Sequence, residues 1–395
     1  MLTGGPPAAI ARDRSWITVE AMPEMSRSDA RSDAGSDAGS DAGAAPGLPV
    51  VTGAAVDPAV DSTTALPGLG ALLPPWPGRQ QPVSGGEVFL RCTPWAGPVD
   101  GSRDGAPRER ALYVHGLGGA STNWTDLAAL LAVRFDGWAV DLPGFGRSRP
   151  PARSSYSVRG HVAAVVDVLE RIVAEPGDGA GRPVHLLGNS LGGLVSLFVA
   201  ASRPDLVATL TLISPAMPVY RVPGVFSRTL LLLLLPGIPA LAERRLSGAT
   251  PEQQVRGMVQ VCFGDPRRVP RARLDQALEE MRERAGQPWA TRALTRSMRG
   301  LITSYLRVGP GNAWRLARSL RPPTLVVWGD RDRLVDPALA PRLAAAVPDG
   351  RLQVLEGVGH VAMLEAAEPV ARAVLALAED AAGQPAHDED AARVS

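Results

Sequence analysis

Apolar positions along the chain follow two alternating patterns. Short, nearly continuous apolar runs at 111–115, 137–141, 183–188 and 208–213 predict buried strands. Between them, apolar residues recur every three or four positions over 122–134, 157–174 and 190–202, which predicts helices. The alternation resumes with a strand at 324–328, a helix at 337–347, a strand at 351–355 and a helix at 361–380. Strand and helix in repeated succession predict an α/β fold: a mainly parallel sheet with helices on both faces. A strand pair over 79–93 and a polar loop over 97–110 precede it.

From 215 to about 320 the strand signal lapses, over a length too great for a plain loop. Segments 225–235, 251–262, 270–285 and 291–306 have helical composition or periodicity, so this stretch predicts an inserted helical cap. The strongly apolar part, 226–241, contains six leucines, Leu230 to Leu235, stopped by Pro236-Gly237. Its first reading is a helix whose leucines pack on the core; its second is a lid with weak lipid contact. Residues 28–43 repeat a Ser-Asp-Ala-Gly/Arg unit within an Ala-, Gly- and Pro-rich segment that predicts disorder. The organisation is then a disordered segment 1–75, core 76–214, cap 215–320, core 321–381 and a disordered tail 382–395.

Candidate chemistry begins at Gly188-Asn189-Ser190-Leu191-Gly192, where an apolar strand gives way to an apolar helix. Ser190 falls on the tight turn between them, and small neighbours at Gly188 and Gly192 allow strand and helix to pack closely. A lone G-x-S-x-G is weak evidence in a chain with 42 glycines, so its partners decide. A serine nucleophile needs a base, and the base needs a carboxylate to fix its tautomer. Of five histidines, His387 lies in the polar tail, His161 near a helix start, His185 inside a strand and His115 at a strand end. His360 follows the 351–355 strand in a glycine-rich loop and completes the order serine, acid, histidine. The acid follows the 324–328 strand, where Asp330 and Asp332 both stand.

Together with Val114-His115-Gly116-Leu117-Gly118, Asn123-Trp124 and Asp141-Leu142-Pro143-Gly144-Phe145-Gly146-Arg147-Ser148, these segments resemble the α/β-hydrolase superfamily, in its serine-nucleophile, esterase/lipase-like branch, over about residues 86–380. The resemblance implies Ser190, Asp332 and His360 as catalytic residues, with Asp330 shaping the turn. It implies an oxyanion hole from the backbone N–H groups of Leu117 and Leu191, and structural roles for His115, Asp141 and Glu365. Relatives that open epoxides or remove halogen carry aspartate at the elbow, unlike Ser190. Asn189 stands where many relatives have histidine, and Ala362 where proline is common. Fold alone does not fix the reaction. The reading is a serine hydrolase cleaving a carboxylic ester-like bond through an acyl-enzyme. Its alternatives are an acyltransferase or carbon–carbon bond hydrolase on the same residues, with perhydrolysis as a side activity, and a catalytically idle ligand-binding relative.

Composition narrows this further. The chain of 395 residues contains no lysine; all 41 basic side chains are arginine. That excludes Schiff-base chemistry, a Ser-Lys dyad and a P-loop of the usual type. A net charge of +1 without a basic block argues against nucleic acid as a partner, leaving a small-molecule acyl substrate. The mechanism requires no cofactor and no metal. Cys92 and Cys262 are isolated thiols without metal-ligand spacing, which fits a reducing, cytoplasmic compartment. The first 25 residues show no signal-peptide apolar stretch, and no apolar run reaches transmembrane length.

Overall fold

The computed structural model describes residues 61–69, 75–84, 86–98, 108–150, 156–219 and 248–383. The repeat at 28–43, the helix expected at 225–235, the Leu230–Leu235 run and His387 in the tail lie outside the described residues.

Eight strands form one sheet: β1 (Gly78–Val83), β2 (Gly86–Thr93), β3 (Glu109–Val114), β4 (Phe135–Val140), β5 (Val184–Asn189), β6 (Val207–Ile213), β7 (Thr324–Gly329) and β8 (Gly350–Leu355). Their order is β1-β2-β4-β3-β5-β6-β7-β8. β2 pairs antiparallel with β1 and β4, and every other pairing is parallel. Val114 stands opposite Gly188, Gly188 opposite Leu212, and Ile213 opposite Val327. This register brings the carboxyl ends of β3, β5, β6 and β7 to one sheet edge, where open α/β sheets place their ligand-binding loops. β5 and β7 are buried along their whole length, which is why they read as continuous apolar runs and not as alternating ones.

On one face the core is built by α2 (Val158–Ala174) and α3 (Leu191–Ser202), with Val165, Leu169, Leu194 and Val195 inaccessible to solvent. On the other face lie α1 (Thr125–Leu131) and α10 (Ala367–Gly383), packed through Leu127, Leu131, Val370 and Val374. Two expected helices differ in detail. The helix over 122–134 is a 3-10 turn, Ser121–Trp124, leading into α1. The single helix over 361–380 breaks at Ala366 (φ −141°, ψ 52°) into α9 (Ala362–Glu365) and α10. At that break Glu365 turns its carboxylate back onto backbone amides instead of continuing the helix.

Between β6 and β7 the described residues form α4 (Pro251–Cys262), α5 (Arg271–Ala285), α6 (Ala290–Tyr305), α7 (Ala313–Ala317) and then α8 (Leu339–Ala346) follows β7. α4 opens on a capping box, with Thr250 and Gln253 exchanging side-chain and backbone hydrogen bonds and Pro251 in the first turn. α6 packs apolar side chains, Leu294, Leu301 and Tyr305, against the core. α7 is too short to leave a period in the sequence; the Asn312 side chain caps it, and Trp314 Nε1 donates to the Pro218 carbonyl at 2.9 Å.

α5 docks by polar groups. Arg273 pairs with Asp126, the Glu280 carboxylate accepts from Thr122 Oγ1 at 2.8 Å, and Gln287 just beyond the helix donates to the Gly146 carbonyl at 2.9 Å. Among the described residues, no helix is long and apolar enough to cross a membrane.

Candidate active site

Ser190 links the last residue of β5 to the first of α3, with φ 54° and ψ −117°. A serine is strained there, and three backbone hydrogen bonds hold it. Its N–H donates to the Ile213 carbonyl at 3.0 Å, and its carbonyl accepts from Leu194 at 3.0 Å and Ala216 at 2.9 Å. Both flanking glycines are needed for contact. A Cβ on Gly192 would lie 2.2 Å from the Val114 carbonyl oxygen, and one on Gly188 would lie 2.5 Å from that of Gly192.

His360 Nδ1 and Asp332 Oδ2 are 2.8 Å apart, both residues buried. The other carboxylate oxygen, Oδ1, accepts from the backbone of Leu334 at 2.8 Å and Val335 at 3.0 Å. These bonds fix the carboxylate and leave Oδ2 for the ring. Donation from Nδ1–H to Asp332 makes Nε2 the acceptor nitrogen of the imidazole. Asp330 instead accepts from the Gly357 N–H at 2.7 Å and shapes the turn. The geometry thus brings Asp332, and not Asp330, to His360.

The backbone of His360 is tied on both sides. Its N–H donates to the Cys262 carbonyl at 2.7 Å, and its carbonyl accepts from Asn189 Nδ2 at 3.0 Å. Glu365 accepts from the amides of Gly359 (2.8 Å), Gly264 (3.0 Å) and Asp265 (3.2 Å). The histidine loop is therefore fixed both to the elbow and to the end of α4.

The loop after β3 passes against Ser190: a Cβ on Gly116 would lie 3.0 Å from Ser190 Cβ. The Leu142 N–H donates to His115 Nε2 at 2.9 Å, so the ring proton sits on Nδ1, which donates to the Gly116 carbonyl at 2.7 Å. Burial lowers the His115 pKa, and its role is to hold the loop. Asp141 accepts from Ser121 N–H at 2.6 Å and Arg147 N–H at 2.8 Å, joining this loop to the next. The Leu191 N–H, first in α3, has no acceptor within its helix. The Leu117 N–H meets no acceptor among the described residues.

His161 and His185 lie apart from this group. His161 meets Ser297 Oγ at 3.0 Å, with burial pushing its pKa down to about 3. His185 meets Thr209 Oγ1 at 2.8 Å and Glu109 at 3.2 Å. Three neighbours of the site had no sequence signal of their own: the Asn189 side chain, Glu280 and Arg284. Arg284 Nη1 donates to the Gly118 carbonyl at 2.8 Å and its guanidinium lies 5.5 Å over the Phe145 ring. The three-to-four spacing of Arg273, Gln276, Glu280, Arg284 and Gln287 is the pattern that marks this face in retrospect.

The family model for the alpha/beta hydrolase fold matches residues 112–367. The dihydrolipoyllysine-residue acetyltransferase component of the acetoin cleaving system of Cupriavidus necator is 29% identical over 266 residues, covering 67% of this chain and 62% of that protein. The chain thus spans less than two thirds of that relative's length. Lipase 3 of a Moraxella species is 25% identical over 286 residues, covering 69% of this chain and 78% of the lipase. Among solved structures, a membrane phospholipase A described as a novel bacterial virulence factor matches with a TM-score of 0.60 at 24% identity, covering 78% of this chain and 87% of the other. The chain belongs to the α/β-hydrolase fold family.

Proposed function

We propose that the chain is a serine hydrolase acting on a carboxylic ester-like bond of a small-molecule acyl substrate. The observation that carries this reading is the buried 2.8 Å contact between His360 and Asp332, in a loop whose backbone is bonded to Asn189, the residue beside Ser190. His360 Nε2 takes the proton of Ser190 as its Oγ attacks the substrate carbonyl. The tetrahedral oxyanion is received by the N–H groups of Leu117 and Leu191, and collapse expels the alcohol, protonated by His360. Water, deprotonated by His360, then attacks the acyl-enzyme and releases the acid and free Ser190. The helices between β6 and β7, within 215–320, act as the cap over this site and supply the acyl pocket.

The test is hydrolysis of a p-nitrophenyl ester series by wild type and Ser190→Ala. Turnover by wild type and none by the variant supports the reading; equal activity of the two refutes it. The acetyltransferase name of the Cupriavidus relative favours acyl transfer as a second reading. Product analysis with and without an added alcohol or thiol acceptor separates transfer from hydrolysis.

A further inference from the structure

We propose that Arg284 is a positioning residue for the oxyanion hole, acting from the inserted helix α5 through two peptide groups in series. This rests on the serine-hydrolase reading above.

Arg284 Nη1–H donates to the Gly118 carbonyl at 2.8 Å. The N–H of that same peptide group belongs to Gly119, and it donates to the Gly116 carbonyl at 3.1 Å. The Gly116 carbonyl belongs in turn to the peptide group whose N–H is that of Leu117. A cation and two peptide groups therefore stand in line, ending on the donor that faces the developing negative charge. Hydrogen-bonded groups in such a chain polarise one another, by about 10–30% per bond. His115 Nδ1–H also donates to the Gly116 carbonyl, at 2.7 Å, but its ring is neutral. The formal positive charge in the series is that of Arg284.

Two further observations separate this arrangement from an ordinary surface latch. Arg273 and Arg282 on the same helix pair with Asp126 and Glu252, whereas Arg284 has no carboxylate partner among the described residues. Burial lowers its pKa without an opposing acid, so its field is weakly screened where it meets the loop. Position is fixed from both sides: Glu280, one turn earlier, is held by Thr122, and Gln287, three residues later, is bonded to Gly146. Docking of α5 and readiness of the Leu117 N–H are thereby coupled.

The experiment uses the full chain. A fluorophosphonate first labels wild type and not Ser190→Ala; absence of labelling at Ser190 overturns the serine reading and this proposal with it. In Arg284→Met, kcat for a p-nitrophenyl ester falls about tenfold, less than the 10²–10³ typical of a donor removed outright. KM stays within about twofold, and affinity for phenylboronic acid, which forms a tetrahedral adduct on the serine, falls by the same factor as kcat. Ester binding to Ser190→Ala is unchanged by adding Arg284→Met, and Arg284→Lys restores most of kcat. An unchanged kcat and boronate affinity overturns the proposal. A loss confined to KM and to ester binding on the Ser190→Ala background also overturns it, because Arg284 then contacts substrate. If Arg284→Met does not fold, Arg284→Gln, which keeps a donor and drops the charge, must lose kcat and boronate affinity together; unchanged values overturn the proposal.

Discussion

Asn189 suspends the backbone of His360: its Nδ2 donates to the His360 carbonyl at 3.0 Å and to the Ile213 carbonyl at 3.1 Å. One amide nitrogen with two hydrogens serves two acceptors, which a ring nitrogen of histidine with one hydrogen cannot do. Asn189→Ala leaves the buried His360 carbonyl without its donor, while the Ile213 carbonyl keeps the Ser190 N–H; the change costs about 1–3 kcal/mol and frees the histidine loop. Its thermal midpoint and kcat/KM are expected to fall together. Asn189→Asp sets a carboxylate against both carbonyls and is expected to be the worse of the two; an Asp variant with wild-type kcat/KM would show that the contact does not position the base.

The two aspartates after β7 give a sharper contrast. Asp332→Asn keeps a side chain of the same shape but favours the wrong imidazole tautomer, so kcat is expected to drop by about 10³–10⁴ in a folded protein. Asp330→Asn keeps an amide oxygen that can still accept from the Gly357 N–H and drops only the charge, so it is expected to cost about tenfold or less. Kinetics of both variants, with circular dichroism as the folding control, decides; a greater loss at Asp330 means the acid is misassigned.

Glu280 links stability to pH. Burial is the largest cause pushing its carboxyl up to about 7, with the nearby charges of Asp141 and Glu283 adding to it and the Thr122 hydroxyl and Arg91 opposing. The unfolded chain releases this proton near the ordinary glutamate value of about 4.3. Above that pH the folded state holds a proton that the unfolded state has lost, so stability falls as pH rises, and the loss is complete above about 7. Glu280→Gln is expected to gain roughly 3–4 kcal/mol at pH 8 and little below pH 4. Urea midpoints across this range measure it; parallel curves for variant and wild type would refute the link.

Two glycine-to-alanine changes have opposite signs. The Cβ of Gly192→Ala meets the carbonyl oxygens of Val114 at 2.2 Å and His115 at 2.4 Å. Both are backbone atoms at the end of β3, so the elbow must shift, and a loss of about 3 kcal/mol or more is expected. Gly257, within α4, has nothing within 4 Å of its added Cβ. Gly257→Ala is expected to gain about 0.5–1 kcal/mol from helix propensity. Urea denaturation of the pair tests both signs in one experiment.

The parts of the site that were legible in sequence are those carried by local motifs at strand ends: Ser190 on its turn, the Asp330-Arg331-Asp332 run and the glycine-rich loop before His360. The choice between Asp330 and Asp332 came from resemblance, because both follow the same strand. Contacts between distant parts of the chain left no mark: Asn189 with His360 and Arg284 with Gly118 are pairs of ordinary polar residues until the fold joins them. Periodicity reports the apolar face of a helix, and α5 buries fully only Met281, so its pattern predicts a helix without saying which side meets the core. The break at Ala366 was hidden for a related reason. Alanine and glutamate suit a helix, and the turn there is set by the three amides that Glu365 accepts.

The carbonyl of Cys262 holds the His360 amide, and its thiol is pushed up to about 11 by burial, with the Asp332 charge adding to it. At neutral pH such a sulfur is almost wholly protonated and reacts slowly with alkylating reagents. Cys92, the only other cysteine, has its thiol raised by burial in β2, and the chain has no lysine amine to compete. Cys262 is half-buried, and any event that parts α4 from the histidine loop exposes its sulfur further and quickens its alkylation. The unmodified chain thus carries a chemical clock for the order of its own histidine loop, readable by mass spectrometry without an introduced label.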